Sequence, residues 1–269
     1  MRLYIPSMGR ATRSDILSGP LADLPLNTEA TYVVPESEVD AYDRALGDAG
    51  FGCSVPVVGC DTQGIAATRH WIGRHAELVG EDKFVMMDDD IRFLVRRSPE
   101  TWQLRGTQPH EVDTLLIHVE RWLDTHAHVG VSAREGNNRI GVGDDTLVAE
   151  NTRTLRFLAY RTEDFLSVQH GRVEVMEDFD VNLQLLKRRR PNVNIHYWAQ
   201  GQKMTNAPGG CSTYRSHEVH ERSAHRLAEL HPGLVRLRQK ENKTDREGFG
   251  TRTEVTIQWK KAFETGVVA

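Results

Sequence analysis

The sequence predicts an α/β protein with a mostly parallel, Rossmann-like sheet flanked by helices, in a single domain over residues 1–269. Three observations carry this. Short apolar runs with strand character recur at residues 3–5, 31–34, 55–58 and 84–87. Helix-like stretches lie between them, at 37–46 and 65–78. The chain has 269 residues, 39% of them hydrophobic and 27% charged, so one sizeable core can close. Strand alternating with helix lays the strands parallel and puts helices on both faces.

Each element rests on a local pattern. Residues 37–46 open with Ser37 followed by Asp40, a shortened capping box. Residues 65–78 carry apolar side chains at helical spacing after Gly64. Residues 110–126 predict a helix with Val112, Leu115, Leu116, Val119 and Leu123 on one face. Residues 130–133 read as a strand, 134–145 as a polar Gly/Asn loop and 156–160 as another strand. Residues 178–187 read as a helix burying Val181, Leu183, Leu185 and Leu186. Pro208, Gly209 and Gly210 set off a C-terminal part with one helix at 216–230 and a basic tail.

Bulk properties exclude some classes. A net charge of −4 argues against coating nucleic acid by charge alone, though a local basic groove remains open. Arginines and a proline interrupt the N-terminus, so no signal peptide is read, and no run has the length to cross a bilayer. Cys53, Cys60 and Cys211 lack metal-ligand spacing and read as free thiols, which fits the cytoplasm.

The chemistry concentrates at Asp88, Asp89 and Asp90, directly after the apolar run Phe84, Val85, Met86, Met87. A buried strand ending in carboxylates puts them at the C-terminal edge of the sheet, where open α/β sheets bind ligands. Like charges there repel and invite a cation. Oxygen ligands favour Mn2+ or Mg2+, and such an ion can also bridge phosphate oxygens. A solvated acidic turn has the same letters; the apolar run before it favours the site. No Gly-x-x-x-x-Gly-Lys loop is present to cradle phosphates.

An apolar strand ending in Asp-x-Asp resembles the metal motif of GT-A glycosyltransferases. Three further pieces match in order: Ile5 through Arg10, Ala67-Thr68-Arg69-His70, and Glu177-Asp178. Within that fold the chain is similar to the phage glycosyltransferases associated with TET-like dioxygenases, which modify hydroxymethylated pyrimidines in DNA. Pro6 to Arg10, Val34-Pro35-Glu36, Met87 to Asp90, Gly209-Gly210 and Tyr214-Arg215 carry this second likeness.

The resemblance implies a GT-A fold, with residues 1–130 mainly binding a nucleotide-sugar donor, expected to be a UDP-sugar. Residues 131–269 would mainly bind the acceptor. Pro6, Ser7, Arg10, Arg69, Asp88 and Asp89 would contact the donor, and Asp90 would hold the metal. His217, ahead of His220 and His225, is the C-terminal histidine expected to add a ligand. Asp178, with Glu177 beside it, would be the base that deprotonates the acceptor hydroxyl, with inversion at the sugar; Asp180 is the reserve. Carboxylates at a helix start are also favoured electrostatically.

Arg13 joins Arg10 and Arg69 as a candidate for base or phosphate. Arg134, Asn137, Asn138 and Arg139 form a polar cluster that would read sugar or acceptor, and Arg215 joins the acceptor set. Residues 234–261 hold eight Lys/Arg against four Asp/Glu, with Phe249 and Trp259 interleaved, a composition suited to DNA phosphates and bases and equally to a solvated tail. Lys187 to Arg190 is a second basic run, and Trp71, Trp102 and Trp198 read as core. The alternatives are a GT-A enzyme acting on a glycan or small molecule, and a non-catalytic nucleotide-sugar or DNA-binding module.

Overall fold

The computed structural model describes residues 1–25, 28–135, 147–202, 216–241 and 251–267. Strands β1 (Arg2–Pro6), β2 (Ala30–Pro35), β3 (Val57–Cys60) and β4 (Lys83–Met87) pair in parallel in the order β3-β2-β1-β4. Their near-continuous burial explains the unbroken apolar letters, since a parallel sheet is covered on both faces. β3 starts two residues later than its apolar run because a 3-10 turn, Gly52–Ser54, precedes it.

Helix α1 (Arg13–Ser18) follows β1 and was not legible as a helix. Helix α2 (Val39–Asp48) begins after a 3-10 turn at Glu36–Glu38, so the Ser37–Asp40 capping box does not form. The Glu38 carboxylate instead accepts from the Gly9 N–H at 2.7 Å, tying this turn to the loop after β1. Helix α3 (Ile65–Leu78) has the bounds that its pattern indicates.

Beyond β4 the sheet gains six strands among the described residues, two of them where the letters place strands, at 130–133 and 156–160, and four that the sequence hides. β5 (Ile91–Arg96), β6 (Leu104–Gly106), β7 (His128–Ala133), β8 (Val148–Glu150), β9 (Phe157–Arg161) and β10 (Asn192–Gln202) extend the sheet as β4-β9-β7-β10-β5-β6, with β8 against β10. β9 enters antiparallel between β4 and β7. β1, β2, β3, β4, β6, β7 and β10 point one way, while β5, β8 and β9 oppose them. β10 alternates polar with apolar residues, as a strand with one wet face would, yet Asn192, Asn194, His196 and Gln200 on its polar positions are buried too. Asn192 Nδ2 donates to the Thr152 carbonyl at 2.8 Å and Asn194 Nδ2 to the Arg153 carbonyl at 3.2 Å, so amides close this layer where apolar side chains would have advertised it.

Two cores follow from strand alternation. Leu3, Ile5, Val85 and Met87 face one side, with Leu115 and Val119 of helix α4 (Pro109–Trp122). Tyr4, Phe84 and Met86 face the other, with Ile72 of α3, Phe165 of helix α5 (Thr162–Leu166), and Val181 and Leu185 of helix α6 (Glu177–Lys187). A third cluster joins Leu183 and Leu186 to Leu227 of helix α7 (His217–Leu230), Val235 of β11 (Val235–Glu241) and Ala262 of helix α8 (Trp259–Glu264). β11 pairs antiparallel with β12 (Thr251–Ile257). The expected basic tail is therefore a folded ribbon and helix, with Trp259 edge-on to Phe179 at 5.6 Å in the packing, not free to stack on bases. Among the described residues no helix is long and apolar enough to cross a membrane.

Candidate active site

β4 delivers the acidic triplet to the C-terminal edge of the parallel strands, as its apolar run indicates. The Asp88 N–H bonds to the Arg156 carbonyl at 2.9 Å, continuing the β4–β9 ladder one step past the strand. The chain then turns through Asp89 and Asp90 into β5. Gly19, at the end of α1, comes so close that a Cβ there would lie 2.4 Å from the Asp89 carbonyl oxygen.

The three carboxylates diverge. Asp88 accepts from Arg69 at 2.8 Å. Asp89 accepts from the Ser7 hydroxyl and the Arg10 guanidinium. Asp90 accepts from Gln202 Nε2 at 2.7 Å and lies 3.2 Å from Arg10. Their mutual repulsion is thus offset in large part by two arginines of this chain, not by a cation alone as the letters suggested. Burial pushes Asp89 up to about 7, against the pull of Arg10 and Ser7. Burial also raises Asp88, with Arg69 opposing.

Ser7 and Arg10 are held in turn. The Ser7 hydroxyl lies 2.6 Å from the Tyr42 hydroxyl, which also accepts from the Arg10 N–H at 3.1 Å. Pro6 ends β1 beside them, buried. The loop after β1 and the triplet are therefore one hydrogen-bonded unit.

Arg69, buried on α3, bridges Asp88 and Glu177. Glu177 is the first residue of α6, and burial pushes it up to about 7 even beside that guanidinium. Its neighbour Asp178 is half-buried, and its Oδ1 accepts from the Phe179 N–H at 3.0 Å. Asp178 acts electrostatically on Asp88, which puts the acidic pair and the triplet in one site. Asp180 points elsewhere: Arg172 grips it at 2.9 Å and His231 Nε2 lies 2.7 Å away, a buried structural cluster.

Other expected residues fall as follows. Arg134 is exposed just past β7, its N–H bonded to the Gln200 carbonyl at 2.9 Å. Arg13 donates to the Asp48 carbonyl at 3.0 Å, on the α1–α2 side. His217 opens α7, 3.7 Å from Glu221 on the same helix. Asn137, Asn138, Arg139, Arg215, Gly209, Gly210, Tyr214, Cys211 and Phe249 lie outside the described residues. Cys60 is a buried free thiol.

Among the described residues no three His, Cys, Asp or Glu side chains converge as a ready-made metal cage. One oxygen nevertheless fits a hard cation. Arg10 and Gln202 engage Asp90 Oδ2, whereas Asp90 Oδ1 is buried and has no hydrogen-bond partner, which leaves a carboxylate oxygen available to a cation.

Residues 1–210 match the model of the TET-Associated Glycosyltransferase family. The chain belongs to this family. Two proteins of Enterobacteria phages T2 and T6, each called beta-glucosyl-HMC-alpha-glucosyl-transferase, are 26% identical over 251 residues, 86% of this chain and 82% of theirs. Among solved structures, a mannosyltransferase from Pyrobaculum calidifontis in complex with GDP-Man and Mn2+ superposes with a TM-score of 0.52 at 13% identity, over 85% of this chain and 62% of that one. Glucosyl-3-phosphoglycerate synthase from Mycobacterium tuberculosis, with Mn2+, UDP-Glc and phosphoglyceric acid, gives 0.52 at 12% identity, over 88% and 82%. These superpositions establish the GT-A fold, and the family makes the protein a glycosyltransferase.

Several residues that build this glycosyltransferase site escaped sequence reasoning. Tyr42, Gln202 and Gly19 touch the triplet or its holders from 32 to 112 residues away, and nothing local marks them. Arg156 acts on Asp88 and holds a left-handed φ of 64°, a conformation uncommon for arginine. Arg153 lies within electrostatic reach of Asp178. Their only signal was two arginines just ahead of a strand.

Proposed function

We propose that this glycosyltransferase moves a sugar from a UDP-sugar to the hydroxyl of a hydroxymethylated pyrimidine in phage DNA, with inversion. The observation that carries the acceptor is the likeness, across 86% of the chain, to two phage enzymes whose name specifies HMC, read here as hydroxymethylcytosine. The site supports the reaction class. Ser7, Arg10, Asp89 and Pro6 form a rigid wall for the nucleoside, and Arg69 with Asp88 continues it toward the sugar.

Glu177 is committed to Arg69, which leaves Asp178 as the base. In a single displacement Asp178 takes the proton of the acceptor hydroxyl. The hydroxyl oxygen bonds to the anomeric carbon as the bond to the nucleoside diphosphate breaks. Asp90 is the residue that would hold Mn2+ or Mg2+, which supplies positive charge to the departing diphosphate. Arg10 and Arg69 add fixed cationic charge in the same low-dielectric site.

A second reading follows from the same name, which includes a glucosyl-HMC: the attacked hydroxyl belongs to a sugar already on the base. The test is mass spectrometry of nucleosides after incubating unmodified, hydroxymethylated and glucosylated DNA with nucleotide sugars and Mn2+. Hexose gain on hydroxymethylated DNA is expected, abolished by EDTA and by Asp90→Ala. Gain confined to glucosylated DNA selects the second reading. Donor hydrolysis without gain on any DNA overturns both in favour of a glycan or small-molecule acceptor. Loss of donor hydrolysis as well leaves a binding module.

A further inference from the structure

The β11–β12 ribbon has two unlike faces. Its register pairs Val235 with Ile257, Arg236 with Thr256, Leu237 with Val255, Arg238 with Glu254 and Gln239 with Thr253. Alternation therefore sends odd-numbered residues to one face and even-numbered residues to the other. α7 covers part of the odd face: Thr253 donates its N–H and hydroxyl to Glu221 at 2.7 and 2.6 Å, and Val235 packs against Leu227, while Leu237 and Gln239 stay exposed. The even face carries Arg236, Arg238 and Lys240, with Glu254 as the acid among them, 3.1 Å from Lys240. Arg236 and Arg238 are exposed.

Arg153 lies within electrostatic reach of both Glu254 and Asp178, and its guanidinium sits 4.9 Å over the Phe179 ring. Arg153 thus connects the even face electrostatically with Asp178, the proposed base, on a protein whose overall charge is negative.

We infer that the even face of β11–β12 docks the phosphate backbone of duplex DNA beside the target base, with Arg236 and Arg238 as the phosphate contacts and Arg153 at its inner end. The inference rests on the DNA-acceptor reading above. Alternate residues of a strand lie about 7 Å apart, comparable with successive phosphates on one DNA strand. The hydroxymethyl group of a modified pyrimidine stands in the major groove, which admits a two-stranded ribbon. Charge that contacts phosphate without reading bases positions the duplex and leaves selection of the base to the site.

Two variants of opposite sign test this. Arg236→Gln with Arg238→Gln should raise KM for hydroxymethylated duplex on the order of tenfold at low salt and flatten the log–log salt dependence by about two, with kcat at saturating DNA retained. Glu254→Gln should lower that KM about two- to threefold, a gain that misfolding cannot imitate. Arg236→Lys with Arg238→Lys should keep the salt dependence. If the wild-type enzyme glycosylates DNA while both Gln variants keep its KM and salt dependence, or both shift KM the same way, the ribbon is not the docking surface. If the wild-type enzyme glycosylates no DNA, the acceptor reading has failed independently of the ribbon. A second copy of the chain as occupant would appear as a dimer that the arginine variants dissociate, and that result also overturns the inference.

Discussion

Arg69 is the residue whose removal the structure prices most clearly. It joins Asp88, at 2.8 Å, to Glu177, and the Glu177 side chain is only 11% exposed. Arg69→Met keeps the length of the side chain and strands both carboxylates. Breaking a buried pair by deleting one partner costs about 3–5 kcal/mol. The lower end applies here, because Asp88 is 29% exposed and solvent screens part of its charge. The expected loss at pH 8 is therefore about 3 kcal/mol, or roughly 6–12 °C in Tm for a chain of this size. Its pH dependence has a definite sign. Burial already raises Glu177 to about 7 with Arg69 in place, and without the cation it rises further. At pH 6 the stranded carboxyl is protonated and the penalty falls to roughly half. Urea denaturation at pH 8 and pH 6 measures both quantities, and adding Glu177→Gln to the variant should restore stability at pH 8. An equal loss at both pH values, or no rescue, would refute the bridging role.

Asp178→Asn keeps shape and removes basicity, so kcat should fall by about two orders of magnitude with donor affinity little changed, and NMR of the glycosidic linkage should show inversion in the wild-type product. Retained configuration would remove Asp178 from the role of base in a single displacement. Gly19→Ala places a methyl group 2.4 Å from the Asp89 carbonyl oxygen; overpacking of this kind costs about 1–3 kcal/mol, and the displaced triplet should raise donor KM. Unchanged donor KM would mean that the turn yields without moving the carboxylates. His128 is fully buried between the Ala159 carbonyl and Thr154, and burial lowers it to about 4. The unfolded chain takes up that proton first, near pH 6.5, so stability is lost as pH falls from about 6.5 to about 4, by roughly 3 kcal/mol. A His128→Gln variant that melts with the same pH dependence as wild type over this range would contradict the assignment.

What local sequence determined is most of the sheet's parallel core and the helices that cover it. β1, β2, β4, β7, β9, α3, α4 and α6 could be read from apolar spacing, because each buries side chains with the period of its own backbone. The triplet's place at the sheet edge followed directly, since the strand before it is fully apolar. Tertiary structure decided the rest. β10 alternates Val193, Ile195, Tyr197 and Ala199 with polar residues, the letters of a strand with one wet face, yet Asn192, Asn194, His196 and Gln200 are buried as well, Asn192 and Asn194 because carbonyls some 40 residues earlier accept from them. The letters called for a cation to relieve the three aspartates; Arg10 and Gln202 also reach them, from 79 and 112 residues away, a pairing no local pattern encodes. The acidic pair read as two candidate catalysts became one once Arg69 claimed Glu177. The basic segment read as a tail because charge alternating with apolar residues suits a solvated strand equally well; only the packing of α7 against its odd face made it a ribbon with one basic side.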